Sequence, residues 1–191
     1  MTKGASISEI LFIFSDSYGK RGRFYLITLA CDFHFGPQQH ISGIKGQRRF
    51  LMALDIKLDC ADVNWQFVSE TLKRVGMAYA EPFAHKKAFE NSQVSVFIYR
   101  EDQLIGFGRA ISDGVFQAAI YDVAVIPEYQ ARGIGALIIK TIMDKLSSCN
   151  FILYASPGKE EFYQTLGFRK MKTGMALFLK AQQMKERGFT E

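Results

Sequence analysis

The chain is short of the residues that build metal and disulfide sites. Its 191 residues hold three cysteines (Cys31, Cys60, Cys149) and three histidines (His34, His40, His85). The cysteines are odd in number and show no C-x-x-C pair, and the histidines do not cluster with them into a ligand set. That spacing argues against a disulfide framework and against a zinc site, and reduced thiols with no metal are expected. Long apolar runs are also missing, since none approaches the ~20 residues that a membrane helix needs. The early apolar stretch Ile10–Phe14 is short, follows Glu9 and has no small-residue cleavage pattern behind it. A secretory signal is therefore not expected, and neither is a membrane partner; the expected location is the cytoplasm.

An acidic excess is absent too, and the basic excess is confined. The net charge is +5, but residues 1–51 carry seven Lys/Arg against three Asp/Glu, and residues 52–191 carry seventeen against sixteen. A nearly neutral main segment gives no basic face for nucleic acid. What is present in quantity is apolar: 48% hydrophobic and 14% aromatic residues, enough for one well-buried globule.

Residues 1–51 read as an N-terminal extension. Ile10–Phe14 and Phe24–Cys31 are β-prone and flank a turn-rich basic stretch, which suggests a hairpin, and a loop follows. The run Gly46-Gln47-Arg48-Arg49 ahead of Met52 is what a purine-rich ribosome-binding site would encode if translated. Met52 is thus one expected natural start, with residues 1–51 as a non-native leader; an ordinary extension is the other reading.

From Met52 the pattern becomes regular. A strand is expected over Leu54–Leu58, then a helix from an Asp62 cap to Val75, with Gly76 as terminator. A short helix over His85–Glu90 follows, then a hairpin of Val94–Arg100 and Leu104–Ser112 and a strand over Ala118–Ile126. The remaining elements are a helix over Ile134–Leu146, a strand over Phe151–Ala155, a helix over Lys159–Leu166, and closing strands over Phe168–Met171 and Ala176–Leu179. That order makes a mixed α/β sheet.

The most informative stretch runs from Val123 to Ala136. A strand ends at Pro127, a short loop follows, and Gly133 and Gly135 open a helix. Free N–H groups at a helix start and the dipole there favour an anion such as a pyrophosphate. Gly133 and Gly135 remove side chains that would hold it away, and Arg132 adds a positive charge. A Walker loop would need Gly-Lys-Ser/Thr, and a dinucleotide fingerprint would need glycine where Ile138 stands. Both fail. The second pair, Gly106-Phe107-Gly108, lies inside a strand and reads as close packing in a sheet.

Gln130-x-x-Gly133-x-Gly135 resembles the Q/R-x-x-G-x-G/A signature of the GNAT superfamily of N-acetyltransferases. Phe162-Tyr163-Gln164-Thr165-Leu166-Gly167-Phe168 resembles its F-Y-x-x-L-G-F signature, at a spacing that leaves room for one helix and one strand. The resemblance covers about residues 52–180. It implies that residues 52–191 form a GNAT-type domain with a mostly antiparallel central sheet, a splayed parallel pair and flanking helices. It also implies acetyl-CoA as donor, bound where Tyr121–Ile126 and Phe151–Ala155 splay apart. Backbone groups of Val123 and Val125 would hold the pantetheine arm and the N–H groups of Arg132, Gly133, Ile134, Gly135 and Ala136 the pyrophosphate; Ala124, Gln130 and Ala131 complete the implied cofactor-binding set.

The acceptor is then a primary amine, acetylated by direct attack in a ternary complex, with no cysteine placed for an acyl-enzyme. Asp122 is the candidate base and Tyr163 the candidate partner of the departing thiol. Glu81, Glu90 and Asp113 are further acidic candidates, and Trp65, Tyr79, Phe83 and Phe89 fall on the elements of the acceptor side. Asp122 could equally hold an arginine, and each aromatic could equally be core. A non-catalytic acyl-CoA-binding sensory module is the alternative function, and a homodimer is left open.

Overall fold

The computed structural model describes residues 54–191. The hairpin and loop expected for residues 1–51, and the question of a start at Met52, lie outside the described residues.

Two strands with the tightest link organise the sheet. β2 (Val94–Arg100) and β3 (Gln103–Ser112) pair antiparallel from Val94↔Ala110 to Arg100↔Gln103. Glu101 and Asp102 between them both sit at positive φ, 49° and 64°. That is the mirror-image two-residue turn whose twist suits a hairpin, made here without glycine. β1 (Asp55–Lys57) pairs with the outer edge of β2, and β4 (Gln117–Val125) pairs antiparallel with β3. β5 (Asn150–Ile152) lies parallel to β4, completing the sheet order β1-β2-β3-β4-β5. The mixed, mostly antiparallel sheet with one parallel pair agrees with the expected fold class.

Helices cover both faces. α1 (Trp65–Arg74) and α2 (Pro82–Glu90) lie on one, and α3 (Ile134–Lys145) on the other. The α3 face is aliphatic: Ile134, Ile138, Ile139 and Ile142 pack on Val96, Ile98, Ile105, Ala110 and Ile120. Close approach there depends on Gly106 and Gly108. A Cβ on Gly108 would stand 2.7 Å from Ile138 Cγ2, and one on Gly106 would stand 3.1 Å from Ile134 Cγ2. The Gly-x-Gly pair in β3 is therefore a packing device, as its place in a strand suggested. The opposite face is aromatic: Phe89 of α2 packs on Phe97 and Phe107 of the sheet, and all three are fully buried.

Several elements differ from expectation. α1 starts after Asn64, not Asp62. Asn64 Oδ1 accepts the Phe67 N–H at 3.0 Å, whereas Asp62 turns the chain at φ 55°. The helix expected over Lys159–Leu166 is shorter, α4 (Glu160–Gln164). The closing strands over Phe168–Met171 and Ala176–Leu179 are not formed. The tail carries α5 (Ala181–Glu186) instead, and Met175, Leu177 and Leu179 are solvent-exposed. Residues fit for a strand make one only against a paired edge, and here Phe178 turns its ring onto Tyr154 instead.

Candidate functional site

β4 and β5 begin as partners and then part. Their pairing runs Gln117↔Asn150, Ala118↔Phe151, Ala119↔Ile152 and stops, while β4 continues beside β3 to Val125. Past Ala119, one edge of β4 is open. Its backbone is aimed there by alternation: the Ile126 N–H donates to the Ile105 carbonyl on the β3 side, so the Val125 groups point the other way. The Val125 carbonyl indeed accepts the Gln130 side-chain amide at 2.9 Å. Gln130 thus ties the loop that follows to the open edge, and Val123, two residues earlier, lies along the same stretch of β4.

A bulge shapes this edge. Opposite β3, the register passes from Phe107↔Ala124 to Arg109↔Tyr121, so Asp122 and Val123 together face Gly108. Asp122 takes a left-handed conformation, φ 53°, which costs a non-glycine residue on the order of 1 kcal/mol or more. Its Oδ2 accepts the Arg109 Nε–H at 2.5 Å, with both side chains largely buried. Arg109 also donates to Ser92 Oγ at 3.3 Å, and its guanidinium lies over the rings of Phe89 and Tyr121. Asp122 therefore holds an arginine, one of its two expected roles, and Arg109 is a site-building residue outside the expected site residues.

The loop beyond β4 is wound for anions. After the 3₁₀ turn Pro127–Tyr129, Ala131 and Gly133 sit at φ 57° and 84°. The first intrahelical bond runs from the Leu137 N–H to the Gly133 carbonyl, so the N–H groups of Ile134, Gly135 and Ala136 fall ahead of the helical ladder. The Arg132 guanidinium lies over the Tyr129 ring, 5.4 Å from its centroid. An alternating left-handed loop opening into a helix concentrates N–H groups on one point, which suits a pyrophosphate. Gly135 has a further reason to be glycine. A Cβ there would meet Phe162 Cζ at 3.2 Å, so the two sequence signatures touch physically.

Tyr163, next to Phe162, packs edge-on against Phe162 and Phe168 at the margin of the aliphatic core. Burial pushes its phenol above the usual tyrosine range. The other candidates scatter. Asp113 Oδ1 accepts the N–H groups of Val115, Phe116 and Gln117, which makes it the organiser of the β3–β4 turn. Glu90 faces Lys86 at 3.8 Å, and Glu81 precedes Pro82 at the start of α2. Trp65 and Phe89 belong to the aromatic core, whereas Tyr79 and Phe83 are exposed.

Two further residues at the split, and one in α2, carried no sequence signal. Tyr121 and Tyr154 each lie two residues past the last β4–β5 pair, and their rings meet edge-on at 5.8 Å. Nothing in the sequence relates positions 33 residues apart until the parallel register is known. His85 is buried at the start of α2, where its Nε2 accepts the Ala80 N–H at 2.9 Å while Ser69 Oγ donates to the Ala80 carbonyl at 2.6 Å. Burial lowers its pKa, the charge of Asp122 opposes that, and Arg109 reinforces it. Among the described residues, no three His, Cys, Asp or Glu side chains gather where they could hold a metal.

Comparison with known proteins agrees with this geometry. A family profile described as "Acetyltransferase (GNAT) domain" matches residues 63–184. The uncharacterized N-acetyltransferase ycf52-like of Prochlorococcus marinus is 34% identical over 108 residues, covering 53% of this chain and 60% of that protein. Serotonin N-acetyltransferase 2, chloroplastic, of Oryza sativa is 32% identical, covering 61% of this chain and 64% of that protein. The chain thus spans about three fifths of the length of these relatives. Among solved structures, a Staphylococcus aureus protein described as a probable acetyltransferase superposes with a TM-score of 0.60 at 26% identity. That match covers 66% of this chain and 98% of the other. With the split sheet, the bulge and the glycine-opened helix, these matches establish that the chain belongs to the GNAT acetyltransferase family.

Proposed function

We propose that the protein is an acetyl-CoA-dependent N-acetyltransferase that acetylates a primary amine by direct attack in a ternary complex. The observation that carries this reading is the parting of β4 from β5 beyond Ala119 and Ile152, with the wound loop at its far end. In this reading the Val123–Val125 edge binds the pantetheine arm. The N–H groups from Arg132 to Ala136 bind the pyrophosphate, while Gln130 and Ala131 hold the loop in shape. Acetyl-CoA supplies a thioester whose carbonyl carbon accepts the amine nitrogen as the carbon–sulfur bond breaks.

The amine must arrive as a free base. With a lysine-like pKa of ~10.4, that costs ~4–5 kcal/mol at pH 7. Arg109 binds Oδ2 of Asp122, so the proposal assigns Oδ1, directly or through one water, to take the ammonium proton. Tyr163 donates a hydrogen bond to the departing sulfur. Its burial-raised phenol is a poor acid against a thiol of pKa ~8.5, so it stabilises the thiolate and completes proton transfer late.

The face where Tyr121, Tyr154, Arg109 and Asp122 meet favours an amine on an aromatic group, and the rice relative carries such an acceptor in its name. The proposed location is the cytoplasm; several relatives are chloroplastic by name, and fractionation of the native host decides between compartments. The test is acetyl-CoA-dependent thiol release against tryptamine, polyamines, aminosugars and lysine peptides. Turnover with one class supports the enzyme and names its acceptor. Tight acetyl-CoA binding with no turnover on any amine would sink it in favour of a sensory acyl-CoA-binding module.

A further inference from the structure

The tail returns to the split. Tyr154 is met edge-on by three rings: Tyr121 at 5.8 Å, Phe178 at 5.7 Å and Phe189 at 5.7 Å, with interplanar angles of 73°, 79° and 86°. None of these four rings belongs to either core cluster or packs against one. Aromatic side chains normally gather to bury area in a core. Here they gather outside it, around a tyrosine that stays 53% exposed, at the place where β4 and β5 part.

The tail is also anchored on both sides of that place. Arg187 Nη2 donates to the Gly76 carbonyl at the end of α1 at 3.0 Å, and its guanidinium stacks over Phe189. Gly188, at φ 77°, lies beside Pro157 in the loop after β5; a Cβ there would be 3.6 Å from Pro157 Cγ. The Phe189 N–H donates to the Met184 carbonyl at 2.9 Å, which fixes the ring's approach to Tyr154.

We infer that the C-terminal tail is a wall of the acceptor pocket and that Phe189 is its specificity-determining residue, selecting amines carried on a flat aromatic group. The inference rests on the acetyl-transfer reading above and adds to it the element that chooses the acceptor. Phe189 and Phe178, each edge-on to Tyr154, present ring surface to an acceptor stacked against the exposed part of Tyr154. Arg187 is a positioning residue that holds Phe189 through Gly76.

The experiment measures KM for tryptamine, for putrescine and for acetyl-CoA on the full chain and on Phe189→Ala, Phe189→Trp and Arg187→Ala. Loss of one edge-on ring contact is expected to raise KM for tryptamine about 3- to 10-fold in Phe189→Ala. KM for putrescine and acetyl-CoA should stay unchanged, with recovery in Phe189→Trp and a smaller rise in Arg187→Ala. Equal KM values for tryptamine in wild type and Phe189→Ala, at unchanged melting temperature, would overturn the wall. Faster turnover of every amine in Phe189→Ala would overturn it too, since the tail would then be a cover. If the wild type acetylates no amine, the acetyl-transfer reading fails by itself. Calorimetric titration of tryptamine then still decides the wall: weaker binding to Phe189→Ala supports it, and equal or absent binding overturns it.

Discussion

The two faces of the sheet solve different problems with different side chains. The α3 face is almost wholly branched aliphatic, and the helix comes so close to β3 that two glycines must make room. Such packing is rigid, because interiors of this density tolerate little change in volume. It suits a helix whose first turn must present N–H groups at a fixed point. The α1/α2 face is aromatic and interrupted by polar groups: His85 under the Ala80 peptide, Arg109 against Asp122, and Ser92 beside them. Its rings leave a margin where Tyr121 and Tyr154 stand outside the core. In the proposed reading one face fixes the acyl donor, and the other offers adaptable, charged and flat surfaces to an acceptor.

Four changes test that contrast. The largest effect is expected on the aromatic face, from Arg109→Met. Removing the guanidinium leaves the largely buried Asp122 without its partner and takes away what holds its left-handed backbone, at about 2–4 kcal/mol of stability. Chemical denaturation measures it, and loss below 1 kcal/mol would mean that the bulge holds itself. Tyr163→Phe comes next. It deletes one donor to the leaving group, so kcat should fall about 10²-fold with acetyl-CoA affinity nearly intact. Steady-state kinetics and calorimetry together check both halves, and unchanged kcat removes Tyr163 from the chemistry.

Gly108→Ala acts on the aliphatic face. Its Cβ would lie 2.7 Å from Ile138 Cγ2, so the helix or that side chain must shift, at about 1–3 kcal/mol. Because the shift displaces the first turn of α3, KM for acetyl-CoA should rise while KM for the amine holds. An equal rise in both would erase the division of labour between the faces. The smallest effect concerns His85. A folded-state pKa below the ordinary 6.5 means that its contribution is present in full above pH 6.5 and is lost as pH falls through the folded value. Protonation also turns Nε2 into a donor, so it can no longer accept the Ala80 N–H. Stability should drop with acid by no more than about 1.4 kcal/mol per pH unit from this group. Melting curves from pH 7 to 5 should flatten in His85→Gln.

Much of the site was legible because its parts are local. Gln130, Gly133 and Gly135 form one contiguous loop, and strand, loop and helix follow directly from periodicity and Pro127. Phe162 and Tyr163 were legible for the same reason. The contact of Phe162 with Gly135 was not, since it joins segments that meet only when α4 folds back on α3. The bulge at Asp122 was invisible in the same way: an extra residue on β4 is defined by its partner on β3 and has no local signature. The closing strands were misread because an apolar run such as Ala176–Leu179 satisfies a strand pattern whether or not an edge is there to pair with.

By itself the sequence determined the order of elements from β1 to α3, the glycine-opened loop ahead of α3 and the family signatures, because these depend on propensity, turn chemistry and spacing within a few residues of one another. The tertiary structure alone decided that Asp122 is held by Arg109, that Tyr121 meets Tyr154 where the strands part, and that Phe189 comes back to the same ring. Those relations join residues from 13 to 35 positions apart, and only the register of a folded sheet and the path of the tail bring them within contact distance.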